Sequence, residues 1–195
     1  IYHEHLSYFS LLPIINWVNQ YELEIFDIKK QSVHGGTIRV FITKKGNIPQ
    51  KNSVKTFLNE EHNYGLDKIE TYEKFAQNVL NLKSKLLKKI MELKSENKSI
   101  IGYGAPAKGN VLLNYCNIDH KIIDFIIDTT PLKQGKFTPG THIPIYHPSK
   151  MENKGSNDVS LLLAWNYKNE ILENEKLFRD RGGKFLIPIP EPTII

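Results

Sequence analysis

Residues 100–110, IIGYGAPAKGN, carry an apolar pair into three glycines and a lysine. A strand that breaks at a glycine turn and opens a helix is the seed of a parallel α/β sheet, and the spacing of the later apolar runs decides whether one forms. A second apolar run, residues 122–127, ends in Asp128. A third, residues 159–164, leads through Trp165, Asn166 and Tyr167 into a helical pattern reaching Arg181, and residues 184–189 read as a last strand after Gly182 and Gly183. The alternation predicts an α/β, Rossmann-like core over residues 98–195, a mostly parallel sheet with flanking helices. Ligands of such sheets bind outside the carboxyl ends of the strands. Residues 104–110, Asp128 and residues 165–167 should therefore border one crevice.

Working outward, residues 1–97 read as an amino-terminal segment that packs on this core, the two together forming one domain. Apolar residues recur at helical spacing over residues 6–18, with Pro13 predicting a kink or interruption. Two strand-like runs, residues 23–28 and 37–42, flank SVHGG at residues 32–36. A long helix is expected over residues 71–93, with Tyr72, Phe75, Val79, Leu82, Leu86, Leu87, Ile90 and Leu93 along one stripe and lysines opposite. That stripe, Trp17 and Phe41 read as core.

Composition narrows the classes. The 195 residues suffice for one good core, with 40% hydrophobic and 24% charged residues, an ordinary balance for a globular chain. The net charge of +5 comes from scattered lysines without a block of like charge. It suits a phosphorylated ligand and, with no aromatic-basic ladder, gives no reason to expect nucleic acid. The single cysteine, Cys116, excludes an internal disulfide or a thiolate zinc cluster and suits a reducing, cytoplasmic setting. No apolar run approaches the roughly 20 residues of a membrane span. The chain begins at Ile1 without a methionine, so a piece of a longer protein is expected.

The glycine loop can be weighed on its chemistry. Glycines let backbone approach a ligand, and the amino-terminal N–H groups of a helix favour an anion, to which Lys108 adds a charge. The G-x-G-x-x-x-x-G spacing of Gly102, Gly104 and Gly109 departs from the dinucleotide fingerprint, and Pro106 removes one donor. Asp128 stands about where a ribose-binding acid occurs, some 20 residues on. The plain alternative is a tight strand-to-helix turn with a solvated lysine. The loop TTPLKQGKFTPGTHIPI, residues 129–145, offers Lys133, Gln134, Lys136, Thr138 and Thr141 to a phosphate or sugar, or is simply a long turn shaped by Pro131, Pro139 and Gly140. At the start of the chain, Tyr2, His3, Glu4 and His5 could supply a general base with orienting neighbours, a metal site of unusual spacing, or an inert leader.

Taken together, YHEHLSYFS (2–10), HGGTIRV (34–40), GYGAPAKGN (102–110), LLNYC (112–116) and DTTPLKQGKFTPGTHIPI (128–145) resemble the carboxy-terminal domain of the SAM-dependent sugar C-methyltransferases. The five blocks span nearly the whole chain. The resemblance implies a longer enzyme with a zinc-binding amino-terminal domain and a central domain for S-adenosylmethionine, neither within this sequence, and no cofactor bound to this chain itself. It implies carbon methylation beside the keto group of a nucleotide-linked 4-keto-deoxysugar, of the dTDP type, after removal of the acidic α-proton. The family's Tyr-x-Glu-His motif falls on Tyr2, Glu4 and His5, making His5 the base, with Glu4 and Tyr2 orienting it. Substrate contacts are expected from His34, Gly104, Ala105, Lys108, Gly109, Asn110, Asp128, Lys133, Lys136 and Thr138. The chain alone is not expected to transfer methyl groups.

Two other classes fit the pattern at this level. One is a Rossmann-like module that binds NAD or another nucleotide without methyl transfer, the other a non-catalytic assembly module. His62, His120 and His147 read as surface residues, and Trp165 as either a packing anchor or a stacking face.

Overall fold

A computed structural model of the protein describes residues 6–32 and 36–195. The chain divides into two compact units between Asn78 and Val79, inside the long helix rather than after it.

The first unit opens with helix α1, Leu11–Asn19. It starts later than the apolar spacing predicts, because Pro13 takes the third helical position, where no intrahelical N–H is needed. The kink expected at Pro13 is therefore absent. The first-turn amides of Leu11 and Leu12 donate instead to the two carboxylate oxygens of Glu61, at 2.6 and 2.9 Å. Glu61 lies on α2, Asn52–Tyr64, a helix the sequence reading leaves unassigned. Its apolar stripe is only Val54, Phe57 and Leu58, and a charged residue completes it. Strands β1, Leu23–Gln31, and β2, Thr37–Lys44, form an antiparallel pair with a register shift between Ile25 and Asp27. The Asp27 carboxylate accepts from Lys51 Nζ, Ser53 Oγ and the Ile28 amide, tying β1 to the start of α2. Leu11, Val18, Ile25, Ile28 and Val54 make the core.

Helix α3, Ile69–Ser95, is longer than predicted, and its stripe is core only toward its end. Leu86, Ile90 and Leu93 are buried in the second unit, whereas Tyr72 and Phe75 are 50% and 53% exposed. Trp17 is exposed as well, and Phe41 half-buried.

The second unit is the expected α/β layer. Strand β3, Ser99–Tyr103, runs into α4, Ala107–Cys116. Then come β4, Ile126–Ile127, β5, Ile145–Tyr146, and β6, Asp158–Leu162. Two short helices follow, α5, Lys168–Asn174, and α6, Lys176–Asp180, where one was expected. Strands β7, Lys184–Ile187, and β8, Thr193–Ile194, complete the sheet. Its order is β5-β4-β3-β6-β7-β8, parallel except for the β7-β8 pair. The chain winds one way from β3 and then the other from β6, so the order reverses between these two central strands.

Neighbouring residues of β3 serve opposite faces, as a pleated strand requires. Ile100 packs on the side of α3 and α4, in one cluster with Ile90, Leu113 and Cys116, while Ile101 packs in another with Phe125, Phe178 and Phe185.

Candidate functional site

The break after β3 is built by backbone conformation and close packing. Gly104 has φ +79°, in the left-handed region that favours glycine. Its amide donates to the Ile127 carbonyl at 2.7 Å, holding the turn against the end of β4. Pro106 occupies the cap position with extended backbone, and no side chain caps the first turn of α4. The amides of Ala107, Lys108 and Gly109 thus lie outside the helix's own ladder. Gly109 is required by proximity, since a Cβ there would stand 2.8 Å from Leu163 Cβ.

Asp128 locks this turn to the loop beyond β4. Its Oδ2 accepts from the Ala105 amide at 2.7 Å and from Lys133 Nζ at 3.1 Å, and its Oδ1 accepts from the Thr130 amide at 2.8 Å. Burial works against its charge, but hydrogen bonds from Thr130, Ala105 and Lys133 outweigh that and hold the carboxyl below its ordinary range. The side chain of Gln134 donates to the Asp128 carbonyl. Asp128 therefore faces its own chain. Thr138 behaves likewise: it is buried, its hydroxyl bonds to Thr141 Oγ1 at 2.6 Å, and it accepts from the Ile143 amide.

The single crevice expected from the strand ends is two hollows that share Pro106 and Lys133. The first, about 400 Å³, lies between α4 and the loop after β4 and is bordered by Ala105, Asn110, Lys133, Lys136, Phe137 and Thr138. The second, about 320 Å³, is bordered by Tyr103, Gly104, Asp128, Thr130, Tyr167 and Glu170. Lys108 extends over the ring of Trp165, 5.1 Å from its centroid, so Trp165 serves as a support for a cation. Partial burial lowers the pKa of the Lys108 ammonium. Among the described residues neither Lys108 nor Lys136 has an ion-pair partner, whereas Lys133 is bound to Asp128.

Several groups at the site were not singled out by sequence reasoning. The Asn114 side chain donates to the carbonyls of Asn110 and Pro139, at 2.9 and 3.0 Å, pinning the loop to α4. Asn114 stands within the LLNYC block, but only the fold brings Pro139 to it. Tyr103 donates its hydroxyl to Glu175 at 2.8 Å, and burial together with that carboxylate raises its pKa. Asn110 Oδ1 is buried with no hydrogen-bond partner. His62 pairs with Asp67 at 3.0 Å, and His120 and His147 are exposed. Tyr2, Glu4, His5 and His34 lie outside the described residues.

An uncapped helix start beside the switch point of a mostly parallel sheet marks the second unit as a Rossmann-like α/β layer. The family described as C-methyltransferase C-terminal domain matches residues 32–190, and the chain belongs to that family. It is 40% identical over 196 residues to the C-methyltransferase NovU of Streptomyces niveus, an alignment covering 100% of this chain and 46% of that protein. The chain thus spans about half the length of the curated relative it matches.

The cofactors that the sequence resemblance implies can be tested on the residues present. Among the described residues no three His, Cys, Asp or Glu side chains are grouped so that they could hold a metal. For S-adenosylmethionine, the two hollows carry mixed charge, Lys133 and Lys136 against Asp128 and Glu170, and Lys108 lines neither.

Proposed function

We propose that this chain is the substrate-holding, carboxy-terminal part of a SAM-dependent C-methyltransferase acting on a nucleotide-linked 4-keto-deoxysugar of the dTDP type, in the cytoplasm. The observation that carries this reading is the uncapped start of α4 flanked by Lys108 and Lys136, two cations without acidic partners among the described residues. Backbone donors and a helix dipole at the start of α4, with Lys136 bordering the same hollow and Lys108 on the helix's first turn, suit a diphosphate. The family match and the named relative supply the methyl-transfer chemistry.

Within this reading each residue has a task. Gly104, Ala105 and Gly109 let backbone approach the phosphates, and Lys108 and Lys136 supply charge. Asp128, Lys133 and Thr138 contribute by fixing the walls, since their polar groups bond within the chain. His34 and Asn110 meet the rest of the substrate. His5 removes the α-proton, with Glu4 and Tyr2 orienting it and assisting proton movement. S-adenosylmethionine, held by another part of the longer protein, supplies the methyl group, and zinc likewise belongs elsewhere.

The NAD reading fares worse on a specific observation. A ribose-binding acid needs free acceptor positions, and both oxygens of Asp128 are already engaged. Titration calorimetry distinguishes the two: dTDP is expected to bind and NAD to give no heat. Binding of NAD in preference to dTDP would overturn the proposal.

A further inference from the structure

Lys108 is half-buried, yet among the described residues its ammonium meets no carboxylate and rests on one aromatic face, that of Trp165, 5.1 Å from the ring centroid. Such a state is uncommon, because an ammonium drawn out of water normally gains an acidic partner or extends its stem to solvent. The contact also joins two parts of the chain. Lys108 stands in the first turn of α4, after β3, and Trp165 in the short 3-10 turn Trp165–Tyr167, after β6. These are the two central strands between which the sheet order reverses.

Two glycines bring those ends together. A Cβ at Gly104 would stand 3.0 Å from Ala164 Cβ, and one at Gly109 would stand 2.8 Å from Leu163 Cβ and 3.2 Å from the Leu163 carbonyl oxygen. A side chain at either position would press the turn away from the end of β6 and draw Lys108 off the ring. Trp165 is itself held, packed against the buried cluster that contains Leu113 and Leu163, so its face is a fixed surface. An indole face attracts a cation without neutralising it as a carboxylate would. The ammonium has three N–H donors, and those turned away from the ring stay available.

We propose that Trp165 is a positioning residue for Lys108: its indole face holds the ammonium beside the uncapped start of α4, so that the charge is already in place for the phosphates of the ligand. A free lysine stem has to be ordered by whatever it binds, and that ordering weakens affinity. Trp165 does the ordering beforehand, and the face that Lys108 covers is closed to a stacking base. The inference rests on the reading of the chain as the holder of a nucleotide-linked sugar, and adds which residue sets the lysine.

Calorimetry of the full chain with dTDP and with inorganic pyrophosphate tests it. Trp165→Leu should weaken both about three- to tenfold, the effect of one long side chain left to be ordered on binding. Trp165→Phe, which keeps an aromatic face, should retain most of the parent affinity, and in a Lys108→Ala background Trp165→Leu should cause no further loss. Unchanged affinity in Trp165→Leu, or a loss of the same size in both backgrounds, as a packing role alone would give, would overturn this inference and leave the proposed function standing. Failure of the unaltered protein to bind dTDP would bring down both. A measurement on the unaltered protein guards against a variant that does not fold: the Lys108 ε-methylene protons, identified in NMR spectra by their loss in Lys108→Ala, should resonate upfield of those of the other lysines, because an aromatic ring shields groups above its face. Signals at the ordinary lysine position would equally overturn the inference.

Discussion

Replacing Asp128 by Asn tests whether this carboxylate is the fastener of the glycine turn. The two side chains have the same shape, but Asn offers one acceptor and one donor. If its Oδ1 keeps the bond from the Thr130 amide, its Nδ2 faces the Ala105 N–H and Lys133 Nζ, both donors, where Oδ2 now accepts at 2.7 and 3.1 Å. Orphaning a part-buried amide costs about 1–3 kcal/mol. Lys133 is 39% exposed at its side chain and can turn to solvent, so its lost pairing adds under about 1 kcal/mol. The expected destabilisation is about 1–4 kcal/mol, from these two terms. Urea unfolding followed by Trp165 fluorescence, in a Trp17→Phe background, would read the sheet unit alone; Trp17 is 59% exposed and suited to replacement. The pH dependence gives a second reading. The folded carboxyl titrates below its ordinary value of 3.8, so its contribution is complete above that value and is lost as pH falls through the folded pKa. The gap between parent and variant should therefore be full at neutral pH and close in acid. A neutral-pH difference under about 0.5 kcal/mol, the level of an ordinary surface change, would refute the argument.

The remaining predictions address the ligand, the chemistry and the first unit. Lys108→Ala should weaken dTDP by about 1–3 kcal/mol, the worth of a charge-assisted contact; calorimetry giving an unchanged Kd would make Lys108 only a surface cation. In the complete enzyme, His5→Ala should abolish exchange of the sugar's α-proton with solvent deuterium, followed by NMR, and exchange at the parent rate would exclude His5 as base. Glu61→Ala removes both acceptors at the start of α1 and should destabilise the first unit by about 1–2 kcal/mol, with faster hydrogen exchange at the amides of Leu11 and Leu12. Unaltered protection there would show that the helix holds without its borrowed cap.

The sequence determined the layer architecture of residues 99–195 by itself, because its signals are local. Ile100 and Ile101 must go to opposite faces of a strand, Gly104 can take a positive φ that few residues tolerate, and three apolar runs alternating with helical patterns leave little choice but a parallel sheet. The glycine loop, Lys108 and the long polar loop were legible as a candidate anion site for the same reason. What escaped was whatever depends on a partner distant in sequence. Helix α2 has a weak apolar stripe because one of its inward positions is Glu61, whose value appears only when the start of α1 arrives some fifty residues away. The stripe of α3 reads as uniformly core, yet burial depends on what lies opposite, and Tyr72 and Phe75 remain exposed. Asp128 has the position of a ribose-binding acid, but tertiary structure brings Ala105 and Lys133 to its oxygens and makes it a fastener. The unpaired oxygen of Asn110 was decided in the same way. Side-chain type and spacing say which groups can bond, and only the folded chain says which of them already have.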